Sequence, residues 1–107
     1  MLSHACLVVT EHIDTSNGRY ISDEAFVEQT DVIITRSAFT SAGWSTILIG
    51  ECDTGNESVI YNAVYHPGGF ENPQTEITYN YTVHEGRKLV IFRRNNNWDS
   101  YTLTVTK

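Results

Sequence analysis

Ile77, Tyr79, Tyr81 and Val83 alternate with Thr78, Asn80, Thr82 and His84, and near the C-terminus Tyr101, Leu103 and Val105 alternate with Thr102, Thr104 and Thr106. A period of two sends successive side chains to opposite faces, which is the mark of a half-buried β-strand. Between these stretches Lys88–Arg93 carries an unbroken apolar run, Leu89, Val90, Ile91 and Phe92, expected to form a central strand covered on both faces. Glu85-Gly86 is expected to close a tight hairpin turn before it. His4–His12, Asp31–Arg36, Trp44–Ile49 and Ser58–His66 repeat the pattern in Val, Ile, Thr and Tyr. Asp14-Thr15-Ser16-Asn17-Gly18, Asp53-Thr54-Gly55-Asn56 and Pro67-Gly68-Gly69 separate them with residues that accept positive φ or bond their own backbone. Only Ser22–Gln29 offers a helix, of one or two turns, with Ser22 or Asp23 as N-cap. The expectation is an all-β chain: one antiparallel β-sandwich over residues 1–107, immunoglobulin-like or related, with seven or eight short strands.

Charge narrows the partners. The net charge of −6 opposes general nucleic-acid binding, which needs a basic surface to neutralise phosphate. The distribution is uneven, however. Residues 1–57 hold nine acids against Arg19 and Arg36, or −7; the remainder holds four acids against five bases, or +1. Arg87, Lys88, Arg93 and Arg94 supply most of that basic side, which suits an acidic partner. No apolar run approaches the ~18 residues of a membrane-spanning helix. Met1-Leu2-Ser3-His4 lacks the basic start of a signal peptide, and Glu11 interrupts the apolar run Ala5–Val9. Two sequons, Asn56-Glu57-Ser58 and Asn80-Tyr81-Thr82, are compatible with export, and a secreted or extracellular protein is the expectation. Cys6 and Cys52 are a possible disulfide, worth about 4 kcal/mol by chain entropy; as thiols they would be small buried hydrophobes.

Chemistry-bearing patterns are sparse. His4, Cys6 and His12 share strand parity, but positions 4 and 12 lie roughly 27 Å apart on a strand rising about 3.3 Å per residue, so no metal site or other cofactor is expected. No Ser or Cys stands in a nucleophile turn, and Pro67-Gly68-Gly69 precedes no helix that could cradle phosphate. The leading enzyme alternative is phosphodiester cleavage by a carboxylate base, a histidine acid and an arginine, for which Glu76, His84 and Arg87 are the candidates, with His66 or Glu71 in support.

Two families are resembled. Leu89-Val90-Ile91-Phe92 followed by the Asn-rich Arg93–Asp99 segment, in a small acidic tyrosine-rich chain, resembles fungal guanyl-specific ribonucleases and their non-catalytic relatives. Phe39-Thr40-Ser41-Ala42-Gly43-Trp44, Pro67-Gly68-Gly69 and Arg94–Trp98 are similar to the three loops of chagasin-type cysteine-protease inhibitors, without that family's Asn-Pro and Arg-Pro-Trp. The first resemblance implies a nuclease or a non-catalytic relative, the second an immunoglobulin-like inhibitor.

Arg93-Arg94-Asn95-Asn96-Asn97-Trp98-Asp99 is the most suggestive segment, because an aromatic among amides and guanidinium groups suits either protein hot spots or a stacked sugar. In a sandwich, loops at one end converge, so Trp44 and Phe70 can join Trp98. A non-enzymatic recognition domain that binds a protein through these loops is the primary expectation. A lectin-like carbohydrate-binding module using Trp98 and its neighbouring amides is the alternative.

Overall fold

The computed structural model describes residues 10–13, 18–38, 45–67, 76–95 and 103–106, with backbone alone at 10–13, 45, 67, 94 and 95. Among them the strands run β1 (Thr10–Ile13), β2 (Arg19–Ile21), β3 (Thr30–Arg36), β4 (Ser45–Asp53), β5 (Asn56–Pro67), β6 (Ile77–Val83), β7 (Arg87–Asn95) and β8 (Leu103–Thr106). They form two antiparallel four-stranded sheets, ordered β1-β8-β3-β6 and β2-β7-β4-β5. The expected all-β architecture is present, as two layers of a sandwich.

Alternation builds the core directly. Val32 and Ile34 of β3, Tyr81 and Val83 of β6, and Leu103 and Val105 of β8 meet Ile47 and Ile49 of β4 and Leu89 and Ile91 of β7. Each such aliphatic side chain contributes about 1.5–3 kcal/mol when buried. β7 is central, between β2 and β4, and Leu89, Val90 and Ile91 are all buried, as its unbroken apolar run required.

Two local expectations fail. Ser22–Gln29 contains no helix, because its backbone finds partners on β7 instead of on itself: Ser22 N–H donates to Leu89 O, Phe26 N–H to Arg87 O, and Gly86 N–H to Phe26 O. The Ser22 hydroxyl accepts from Leu89 N–H, and Phe26 enters the core as a plug. Nor is Glu85-Gly86 a hairpin turn. Gly86 takes a φ of +83°, but β6 pairs with β3 while β7 pairs with β2 and β4, so this turn carries the chain between sheets. Among the described strands only β4–β5 is a hairpin of sequence neighbours; every other connection changes sheet.

Strand register places these crossings. Ser45 pairs with Asn95 and Thr46 with Pro67 in one sheet; Arg36 pairs with Ile77 and Leu103, and Ile13 with Leu103, in the other. Consequently segments 14–17, 39–44, 68–75 and 96–102 all leave strands at one end of the sandwich. The opposite end holds the Ser22–Gln29 segment, the Thr54-Gly55 turn and the Glu85-Gly86 turn.

Candidate functional site

β7, which carries the first three residues of the recognition segment, ends at the crossing end. Trp44, Phe70, Asn96, Asn97, Trp98 and Asp99 fall outside the described residues, and Arg94 and Asn95 are placed by backbone only, closing β7 opposite Thr46 and Ser45. β4, which begins one residue after Trp44, and β7, which ends three residues before Trp98, are neighbours, and β5 on the other side of β4 ends at Pro67, three residues before Phe70.

Two arginines underlie this end. Arg93 continues the inward parity of Leu89 and Ile91 and is 4% exposed; Arg36 continues that of Val32 and Ile34 from the facing sheet and is 5% exposed. Arg93 is therefore a guanidinium set beneath the end of the sandwich, not on its surface. Nearby, the rings of His66 and Tyr79 lie 4.4 Å apart, and burial holds the His66 pKa below its ordinary value.

The best-defined polar cluster sits at the opposite end, around a carboxylate that sequence reasoning missed. Glu51 is fully buried. Its parity follows Ile47 and Ile49, so it points between the sheets, where an unpaired charge would be costly. Partners arrive from three elements. His84 N–H donates to Oε1 at 2.8 Å, the His84 ring Nδ1 lies 2.8 Å from Oε2, the Asn62 amide donates to Oε2, and Arg87 Nη1 approaches it at 3.6 Å. Burial pushes the Glu51 pKa up, but the bonds from the His84 backbone, Asn62 and the His84 ring outweigh it, and the group stays below the ordinary carboxylate value.

A bulge brings Asn62 into place. Ile49 pairs with Val64 and Glu51 with Tyr61, so Gly50 faces two residues of β5, Asn62 and Ala63. Asn62 takes a left-handed φ of 53°, which Asn tolerates better than most residues. Its carbonyl accepts from the Tyr81 hydroxyl at 3.1 Å, and burial, followed by the Glu51 charge, pushes the Tyr81 pKa up to about 12. Arg87 completes the cluster, with Nε 3.1 Å from Asp53 and its guanidinium 4.0 Å from the Tyr61 ring centroid.

Chemically, a histidine whose Nδ1 is held by a carboxylate presents Nε2 outward, and His84 is half exposed. Glu51 itself is sealed from any substrate. Of the nuclease candidates, His84 and Arg87 come together, whereas Glu76 precedes β6 at the crossing end and lies exposed at the far end of the strand. The signal for Glu51 was a lone carboxylate at an inward position of an apolar strand; its partners could not be read without the strand pairing.

Cys52, next to Glu51 but on the opposite face of the sheet, is a buried free thiol, and Cys6 lies outside the described residues. Among the described residues no group of three His, Cys, Asp or Glu side chains is arranged to hold a metal. No described helix is long and apolar enough to cross a membrane. Comparison with protein-family models, curated proteins and solved structures finds no match to this chain.

Proposed function

We propose that this chain is a recognition domain that binds an acidic protein partner through the crossing end of the sandwich and performs no chemistry. What supports this reading is the strand register, which brings Ser45, Pro67 and Asn95 to one end; Trp44, Phe70 and Asn96–Asp99 follow or precede these strand ends in sequence. Arg94, next to last in β7, adds a cation to the sequence of that end, and the buried Arg36 and Arg93 place positive charge behind it, which favours an acidic partner over a basic one. The Glu51 cluster supports it from the other side, because its carboxylate is committed to holding β4, β5 and the β6–β7 turn together. Export is part of this proposal, since Asn56 and Asn80, the acceptors of the two sequons, are both exposed.

The test compares three proteins as capture baits: the parent, a Trp98→Ala/Arg94→Glu variant, and a Thr54→Lys variant altered at the opposite end. The expected outcome is a partner retained by the parent and Thr54→Lys, lost by the double variant, and weakened by salt. Undiminished binding of that isolated partner by the double variant would refute the reading.

A further inference from the structure

The two sequons share a composition and an exposed asparagine but sit on different backbones. Asn80 is the middle residue of β6, whose seven residues pair with β3 in unbroken register from Thr30–Val83 to Arg36–Ile77. Regular pairing keeps the chain extended, so Asn80 and Thr82 stand roughly 6.6 Å apart along the strand. The Thr82 hydroxyl is spent elsewhere, donating to Asp31 Oδ1 at 2.7 Å. Bending this sequon toward a transferase would break the ladder at its centre, where Asn80 pairs with Ile33.

Asn56 stands at the tip of the β4–β5 hairpin, directly after the Thr54-Gly55 turn, where Gly55 takes a φ of +86°. Asp53 pairs with Asn56, but the next pair is Cys52 with Ile60, so Glu57, Ser58 and Val59 are opposed by no residue of β4. The chain bows out over these residues, and the Ser58 hydroxyl comes back to donate to Asn56 Oδ1 at 3.0 Å. Glu57, between them, is committed elsewhere: its carboxylate accepts from Gly55 N–H and from Lys88 Nζ, each at 3.3 Å. Among the described residues no partner takes the Asn56 Nδ2. The hydroxyl of this sequon therefore already rests on the amide of its own acceptor, with the amide nitrogen left open to solvent.

We propose that Asn56 is an N-glycan acceptor of the folded chain and that Asn80 is not; this rests on the export that belongs to the proposed function. The donor is a lipid-diphosphate-linked oligosaccharide and the catalyst a separate transferase. A bond forms between Asn56 Nδ2 and C1 of the first sugar, the C1–O bond to the diphosphate breaks, and the diphosphate leaves with the electron pair. One Nδ2 proton passes to a base of the transferase, and the hydroxyl donated to Oδ1 makes that proton easier to remove. The acceptor lies two residues from Thr54, at the turn end of the sandwich, so the glycan leaves the crossing end free for its partner.

The test sets fold against sequence. Purified, unglycosylated chain, its folding confirmed by circular dichroism, is incubated with an oligosaccharyltransferase and a lipid-diphosphate-linked oligosaccharide, beside synthetic peptides of residues 51–63 and 75–87. Enzymatic release of the glycan leaves Asp in place of Asn, and peptide mass mapping then locates the site. Both peptides should accept, whereas the folded chain should gain a single glycan, at Asn56. That glycan should be lost in Asn56→Gln and Ser58→Ala and kept in Asn80→Gln and Ser58→Thr. Transfer to Asn80 of the folded chain, or none to Asn56, overturns the proposal. Refusal of the 75–87 peptide also overturns it, because the choice would then lie in the sequence and not in the fold. Export is read separately, by whether the chain leaves the cells that make it, so a failed transfer and a failed export are told apart.

Discussion

Replacing Glu51 by Gln tests whether the buried carboxylate holds the turn end of the sandwich together. The substitution preserves shape, and the Gln oxygen can still accept from His84 N–H at the Oε1 position. The new amide, however, faces the His84 ring nitrogen and the Asn62 amide, both of which donate to the carboxylate in the parent. A change of ring tautomer and a flip of the Asn62 amide can restore contacts, but only as neutral bonds. Hydrogen bonds to a charged group contribute about 1.5–3 kcal/mol against about 0.5–1.5 for neutral ones, so three bonds losing about 1 kcal/mol each predict a cost of about 3 kcal/mol. For a domain of this size that lowers Tm by roughly 15 °C. The pH dependence gives a second, sharper reading. Because the folded pKa of Glu51 lies below its ordinary value of 4.5, the stabilisation is fully present above the unfolded pKa and is lost as pH falls through the folded one. The stability difference between parent and variant should therefore be constant near pH 7 and shrink as pH drops below about 4.5. Urea denaturation followed by circular dichroism, at steps from about pH 7 to about pH 3, measures both. A variant within about 0.5 kcal/mol of the parent, or a difference that does not shrink in acid, would show that the charge on Glu51 does not hold the turn end together.

Two further outcomes follow from neighbouring residues. A Cβ added at Gly50 would lie 2.5 Å from Ile60 Cγ2 and 3.2 Å from Tyr61 O, so Gly50→Ala should destabilise by about 1–3 kcal/mol, and Ile60→Ala in the same chain should recover part of that loss in a double-mutant cycle. Simple additivity of the two changes would mean that Gly50 is dispensable to the approach of β5. Cys52 is buried and its thiol is pushed above the ordinary range, first by desolvation and then by the Glu57 charge, so it should resist thiol reagents in the native protein and react on unfolding. Rapid labelling of Cys52 in the folded chain, or its absence from a titration of unfolded, unreduced protein, would contradict this.

What the sequence made legible was local periodicity. The alternation of Ile77–Val83 and the apolar run Leu89–Phe92 gave strand type, face and centrality, because each depends only on which residues sit two apart. The connections were another matter. Glu85-Gly86 has the composition of a hairpin turn, and nothing in it records that His84 turns away toward Glu51 and sends the chain to the other sheet. Ser22–Gln29 failed as a helix for a related reason: its hydrogen bonds go to β7, more than sixty residues away in sequence, and no local propensity encodes that. Arg93 reads as a surface cation in a polar loop until the parity of Leu89 and Ile91 is extended two residues further, which places it inside. β2, three residues long, carried too little pattern to stand out.

Sheet-changing connections tie the fold to its proposed recognition end. Among the described strands every connection except β4–β5 crosses between layers, so the chain passes from sheet to sheet at both ends of the sandwich. At the turn end those passages are fastened by side chains: the chain breaks β5 with a left-handed Asn62 and ties it to β6 through the Tyr81 hydroxyl, and Glu51 of β4 takes hydrogen bonds from Asn62 and from His84 at the start of the β6–β7 turn. The two sheets are therefore cross-linked at one end, which leaves the strand ends at Ser45, Pro67 and Asn95 on a scaffold that the Glu51 cluster holds fixed.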